Sequence, residues 1–272
     1  MTNPTFWNQL LIWPIINLLM ALYKFFEWLH VPGPLGFAVI GLTLAIRLLL
    51  YPLMAAQLKS AKKMQQLKPH LDALSAKHKD DKKALQQAQL DLYKEHGVNP
   101  AAGCLPLLIQ MPVLIALYNV FYQVLQNGNI SKLVTEINHV MYVPALRIAT
   151  LDLTFFGFNL GIKPSQWQTH GWWLLAIPVI TAGLQYWQSK LMLPQAAESK
   201  QLAGNSSQKD KAQEKKKETP EDAAMEMQKQ MAMITPLMFG MFAYQFPLGL
   251  ALYWNVFGLF GIMQQLRINA EK

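Results

Sequence analysis

The sequence has a single cysteine, Cys104, so no internal disulfide staples it. Its expected role is that of a small buried thiol. Acidic residues are scarce: 16 Asp and Glu stand against 24 Lys and Arg, a formal charge of +8. None of the five apolar blocks expected to span a membrane contains Asp, Glu or His in its interior. That absence excludes much chemistry. An intramembrane aspartyl protease needs two Asp, a zinc protease an HExxH helix, and a serine protease a base beside its Ser. The six histidines lie outside the expected spans without metal-ligand spacing, and no Gly-rich phosphate loop is present. Proton-coupled transport usually places a carboxylate or His within the membrane, so that class is weakened too. No enzyme, metal site or cofactor is expected.

What the sequence has is apolar length. Hydrophobic residues make up 52% of it and charged residues 15%. They gather in blocks about 20 residues long, enough for a helix to cross a bilayer. The expected fold is an all-α polytopic membrane protein with five transmembrane helices, at 35–58, 101–126, 171–193, 231–246 and 247–272, the last ending in a short tail. Nine lysines, Lys59 to Lys94, fall between the first two spans, and eight, Lys190 to Lys229, at or after the end of the third. Segment 127–170 has only Lys132, Arg147 and Lys163. The positive-inside rule then places 59–100 and 194–230 in the cytoplasm and 127–170 outside. Five spans put the N-terminus outside and the C-terminus inside.

Residues 6–30 are apolar but carry Asn8, Gln9, Asn17, Lys24 and Glu27, with Pro14 among them. Trp7, Trp13 and Trp28 suit the headgroup zone. Segment 1–34 is therefore expected to hold an amphipathic helix lying in the outer interface. The alternatives are a sixth span or an uncleaved signal anchor. No basic stretch precedes the block, so a cleavable signal is not expected. Residues 59–100 differ in kind. Met64, Leu67, Leu71 and Leu74, then Leu85, Ala88 and Leu92, make helical apolar stripes among lysines. DDKK at 80–83 offers a turn and an N-cap. A cytoplasmic helical hairpin is expected there. Segment 194–230 has almost no large apolar residue and is expected to be disordered.

One charge breaks the apolar pattern. In GLTLAIRLLLYPL, residues 41–53, Arg47 is the only formal charge in the interior of any span. At the centre of a helix its insertion costs roughly 2.5–3.5 kcal/mol. Thr43, Arg47 and Tyr51 are four apart and should share a face that avoids lipid. Other spans offer polar company: Gln110, Asn119 and Gln123; Gln185 and Gln188; Tyr253, Trp254 and Asn255. Such an arginine either locks the bundle or serves function.

These stretches resemble the YidC family of membrane protein insertases and its Oxa and Alb relatives. The likeness runs from about Phe37 to Gln265. It rests on FAVIGLTLAIRLLLYPL at 37–53, LYKEHGVNPAAGCLPLLIQMPVLIALY at 92–118, MQKQMAMITPLMFGM at 227–241 and FPLGLALYWN at 246–255. The resemblance implies a hydrophilic groove open to the cytoplasm and to lipid, in the bacterial plasma (inner) membrane. Arg47 would be the groove arginine and Thr43 the groove threonine, with Tyr253 and Trp254 bordering the substrate's path. Tyr51, Gln110, Gln185, Gln188 and Asn255 complete the expected lining. Implied partners are nascent membrane proteins, anionic lipids, and the Sec translocase, signal recognition particle receptor and ribosome through the hairpin. Direct nucleic-acid binding is not expected. The chain departs from the family where a Ser/Thr-Asn pair commonly follows the aromatic pair: here stand Phe257 and Gly258. A lipid scramblase or small-solute transporter would use the same polar groove. A purely structural assembly factor would tolerate loss of the Arg47 charge.

Overall fold

A computed structural model of the protein describes residues 2–78, 81–98, 105–127, 130–192 and 220–270. Cys104, Lys79, Asp80 and most of the expected spacer lie outside the described residues, as does the side chain of Gln123. Among the described residues the chain is helical apart from short turns and one two-stranded ribbon.

The first helix, α1 (Trp13–Trp28), continues without interruption from a π-helical turn, Asn8–Ile12. Pro14 does not break it. Proline lacks an N–H, and the wider turn just before it absorbs the missing bond. Lys24 and Glu27 pair at 2.9 Å, which neutralises both charges on the helix surface. Ile12, Ile16, Leu19, Met20 and Tyr23 form its buried face, against α2 (Pro34–Leu49) among others. Phe6, Trp7, Phe25 and Trp28 stay exposed.

The expected first span, 35–58, is not one straight helix. α2 ends at Leu49, α3 (Tyr51–Gln66) begins after Leu50, and the two are bent by 62°. Pro52 is the physical cause: it cannot donate to the preceding turn and its ring crowds it. α3 then runs on past residue 58, so the expected boundary between span and hairpin falls inside a helix. Leu67 interrupts it before Pro69, and α4 (Lys68–Lys77) packs on α5 (Lys82–Glu95). Asp81 caps α5 by accepting from the Lys83 and Ala84 amides at 3.1 and 3.0 Å. Leu67 and Leu85 are buried between these elements.

The remaining long helices are α6 (Leu105–Asn127), α9 (Ala176–Met192), α10 (Pro220–Gln245) and α11 (Leu248–Ala270). Here the expectation for 194–230 is corrected in part: residues 220–230 are helical, the opening turns of α10. α10 lies along α9, and α11 contacts α9, α2 and α6. A side chain at Gly240 would meet Ala182 at 3.1 Å, the close backbone approach that small residues permit in apolar surroundings.

Segment 127–170 is more than a loop. It folds as α7 (Ile130–His139), a ribbon pairing β1 (Thr154–Phe155) with β2 (Phe158–Asn159), and a short helix α8 (Trp167–His170). Leu133, Ile137, Val140, Ile148 and Leu151 join the core formed by α1, α2, α6 and α11. A side chain at Gly36 would lie 2.1 Å from the Phe155 ring, so the glycine lets the ribbon sit on α2. Polar ties hold the segment down. Asn17 donates to the Val140 carbonyl at 2.9 Å and accepts from the Tyr142 amide at 2.8 Å. The Tyr23 hydroxyl accepts from the Asp152 amide at 3.1 Å. The Leu248 and Gly249 amides, at the start of α11, donate to Ile162 and Leu160 carbonyls at 2.9 Å each. Asn17→Leu leaves the Val140 carbonyl and the Tyr142 amide without Asn17. It should cost on the order of 3 kcal/mol, read as a lower thermal midpoint of the detergent-solubilised protein.

Candidate functional site

Arg47 lies in the last turn of α2, not in mid-helix. The bend at Leu50 brings the helix end to it. A helix C-terminus favours a cation through its unpaired carbonyls, so the charge costs less there than at mid-helix. Its side chain crosses to α11. Nη2 donates to the Phe257 carbonyl at 2.6 Å, and Nη1 to Gln264 Oε1 at 3.3 Å. The guanidinium carbon stands 3.7 Å from the centre of the Phe257 ring, a cation–π contact. Nε is buried with no hydrogen-bond partner. Two of the five N–H groups of an arginine therefore have partners among the described residues.

Glycines make the approach possible. A β-carbon at Gly261 would lie 2.6 Å from Gln188 Nε2 and 2.9 Å from Arg47 Nη2. Both groups thus occupy the space above one α11 glycine. At Gly258 the nearest groups are Gln188 Oε1 at 3.8 Å and Gln185 Nε2 at 3.9 Å. The structure brings Arg47, Gln185 and Gln188 together from α2 and α9 onto a single face of α11.

Of the other expected lining residues, Tyr253 stays beside this site, its ring 6.0 Å from that of Phe257. Thr43 is buried, and its hydroxyl donates to the Val39 carbonyl of its own helix at 2.7 Å. Tyr51 is exposed and lies past the bend, so the face shared with Thr43 and Arg47 does not extend to it. Tyr253 is buried, and its hydroxyl accepts from Gln110 Nε2, which ties α11 to α6. Trp254 is buried against Phe239, Phe242 and Phe246 in an aromatic cluster between α10 and α11. Asn255 is half-buried, and its buried Oδ1 has no partner. Gln264, Gly261 and the contact role of Phe257 were not anticipated from the sequence. The Phe257–Gly258 departure has a structural meaning: a ring faces the cation, while a side chain at Gly258 would meet the two glutamines only at ordinary contact distance.

Apolar helices around a guanidinium with spare donors fit an integral membrane protein with a polar site inside it, and among the described residues Asn8–Trp28 is long and apolar enough to cross a bilayer. The chain matches the family described as "60Kd inner membrane protein" over residues 25–272. It belongs to that family, as the YidC-like motifs led us to expect. It is 32% identical over 271 residues to "Membrane protein insertase MisCA" of Bacillus subtilis (strain 168), covering 98% of this chain and 80% of the relative. With "Membrane protein insertase YidC" of Oceanobacillus iheyensis it shares 31% over 268 residues, covering 97% of this chain and 83% of the relative. Against "Membrane protein insertase YidC" of Helicobacter pylori (strain J99 / ATCC 700824) the figure is 29% over 255 residues, 94% of this chain but 35% of that longer relative.

Proposed function

We propose that this chain is a membrane protein insertase and chaperone of the bacterial plasma membrane. The observation that carries this is Arg47, a cation within apolar helices whose donors are only partly used. In surroundings of low dielectric, attraction to an acidic or polar tail is weakly screened. The tail of an arriving segment is received at Arg47 beside Gln185 and Gln188. Its apolar part then moves sideways into lipid, driven by hydrophobic transfer. No nucleotide is required for that step. The test is direct: the protein alone, reconstituted in vesicles, should insert a small single-span substrate with an acidic outer tail. Insertion no better than in empty vesicles ends the proposal.

The orientation follows the lysines, with α3 to α5 inside and α7 to α8 outside. α1 together with its π-helical turn, Asn8–Trp28, is long and apolar enough to cross a membrane. Its ties support an interfacial position instead. Contacts to the single segment 140–152 run from the Gln9 carbonyl, which the Tyr142 hydroxyl meets at 3.4 Å, through Asn17 to Tyr23. That is about 21 Å of helix held to one surface segment. In a Cys104→Ser background, an impermeant thiol reagent applied to intact cells should label Gln168→Cys and spare Ala73→Cys, both exposed positions. The reverse pattern inverts the orientation and moves the arginine site to the wrong side for a cytoplasmic substrate. The hairpin of α4 and α5, at the cytoplasmic mouth, receives substrate or docks a targeting partner.

A further inference from the structure

Phe257, Gly261 and Gln264 are spaced at i, i+4 and i+7 on α11, so they present one face to α2. Each meets Arg47 differently. The Phe257 ring lies under the guanidinium, and its carbonyl takes one N–H. Gln264 takes another through Oε1. Since arginine only donates, the Gln264 amide must keep its oxygen toward Arg47, which leaves Nε2 buried and without a partner. Gly261 leaves the space that Nη2 and the Gln188 amide share. We propose that Phe257, Gly261 and Gln264 are positioning residues that hold the Arg47 guanidinium flat against α11. This leaves its Nε edge, buried and without a partner, as a donor-only seat for a carboxylate. The inference rests on the insertase reading and adds a claim about selectivity. The fixed cation discriminates a carboxylate from its amide, because a planar fork meets a carboxylate in two places. A swinging arginine would supply charge without that geometry.

The experiment uses the full chain in vesicles and two single-span substrates that differ only in tail residues, Asp against Asn. The measured quantity is the ratio of their insertion rates at equal amounts of folded protein. Loss of one cation–π contact corresponds to a change on the order of fivefold. Phe257→Leu should lower the Asp/Asn ratio by about that factor, while Phe257→Tyr, which keeps a ring, should preserve it. Gly261→Ala leaves the ring in place but displaces Arg47 and Gln188, so it should lower the ratio too. Gly258→Ala, with its nearest neighbours at 3.8 and 3.9 Å, should leave it unchanged. In an Arg47→Ala background, Phe257→Leu should add nothing to the ratio. A merely structural role would slow both substrates equally, and that result overturns the positioning claim. So does a normal ratio in Phe257→Leu alongside a lost ratio in Arg47→Ala. If Arg47→Ala itself keeps the full ratio, the insertase reading of the arginine fails first, and the positioning claim falls with it.

Discussion

Arg47→Ala should lower insertion of an acidic-tailed substrate on the order of tenfold or more, the equivalent of one charge-assisted hydrogen bond. A substrate with an uncharged tail should lose much less. The structure sharpens what lysine can replace. Arg47→Lys keeps the charge near the helix end, but an ammonium has no flat face to lie on Phe257 and no fork to reach both the Phe257 carbonyl and Gln264. It should therefore fall between arginine and alanine. The measurement is the initial rate of substrate protection from external protease in reconstituted vesicles, with tail charge varied from zero to three. Rates for Arg47→Ala that track wild type at every tail charge would falsify the electrostatic role. A loss that is equal at all charges would make Arg47 a bundle lock instead.

The second large effect lies in the hairpin. Leu67 and Leu85 are 5% and 3% exposed, and they sit where α3, α4 and α5 meet. Replacing both with Asp buries two carboxylates without partners and removes the apolar seam, at a cost of roughly 3 kcal/mol or more each. A helix pair this small cannot absorb that, because few other apolar contacts hold it. We expect trypsin to cut the α4–α5 region rapidly while the remaining helices keep their thermal transition, and insertion to drop steeply. Lys77→Glu with Lys83→Glu, at exposed positions near the tip, should matter less. Lysines near anionic lipid contribute about 1 kcal/mol each, which the other lysines still supply. Full insertion by the Leu67→Asp, Leu85→Asp variant would reduce the hairpin to a spacer.

The apolar blocks made the long helices legible because a bilayer demands length, and length survives in any sequence window. The bend after Leu49 was also written there, in Tyr51–Pro52, yet an unbroken apolar run conceals it. Segment 127–170 was opaque. Its order comes from pairings across long separations, Asn17 with Val140 and Tyr23 with Asp152, that no local pattern encodes. At the site, Arg47 was legible through its isolation. Gln264 and Phe257 were not, being 217 and 210 residues away in the chain. One signal existed: Phe257, Gly261 and Gln264 share a helical face that carries a glycine and an amide amid apolar neighbours. A motif marked Tyr253 and Trp254, and the structure adds their packing: Tyr253 meets Gln110 and the Phe257 ring, and Trp254 the Phe242 ring.

The break at Leu50 also reaches the lipid. α2 has 16 residues, about 24 Å of helix, beside α11 with 23 residues, about 35 Å. A hydrocarbon core near 30 Å is too thick for the first and too thin for the second. On our reading, in which both helices lie in the membrane, the bilayer thins beside α2 and α11 tilts, at fractions of a kcal/mol per ångström of mismatch. Elastic distortion of this kind spreads beyond the protein's edge. An incoming segment would meet a shortened barrier before it touched any side chain, and lipids with longer tails would raise that barrier while leaving Arg47 unaltered.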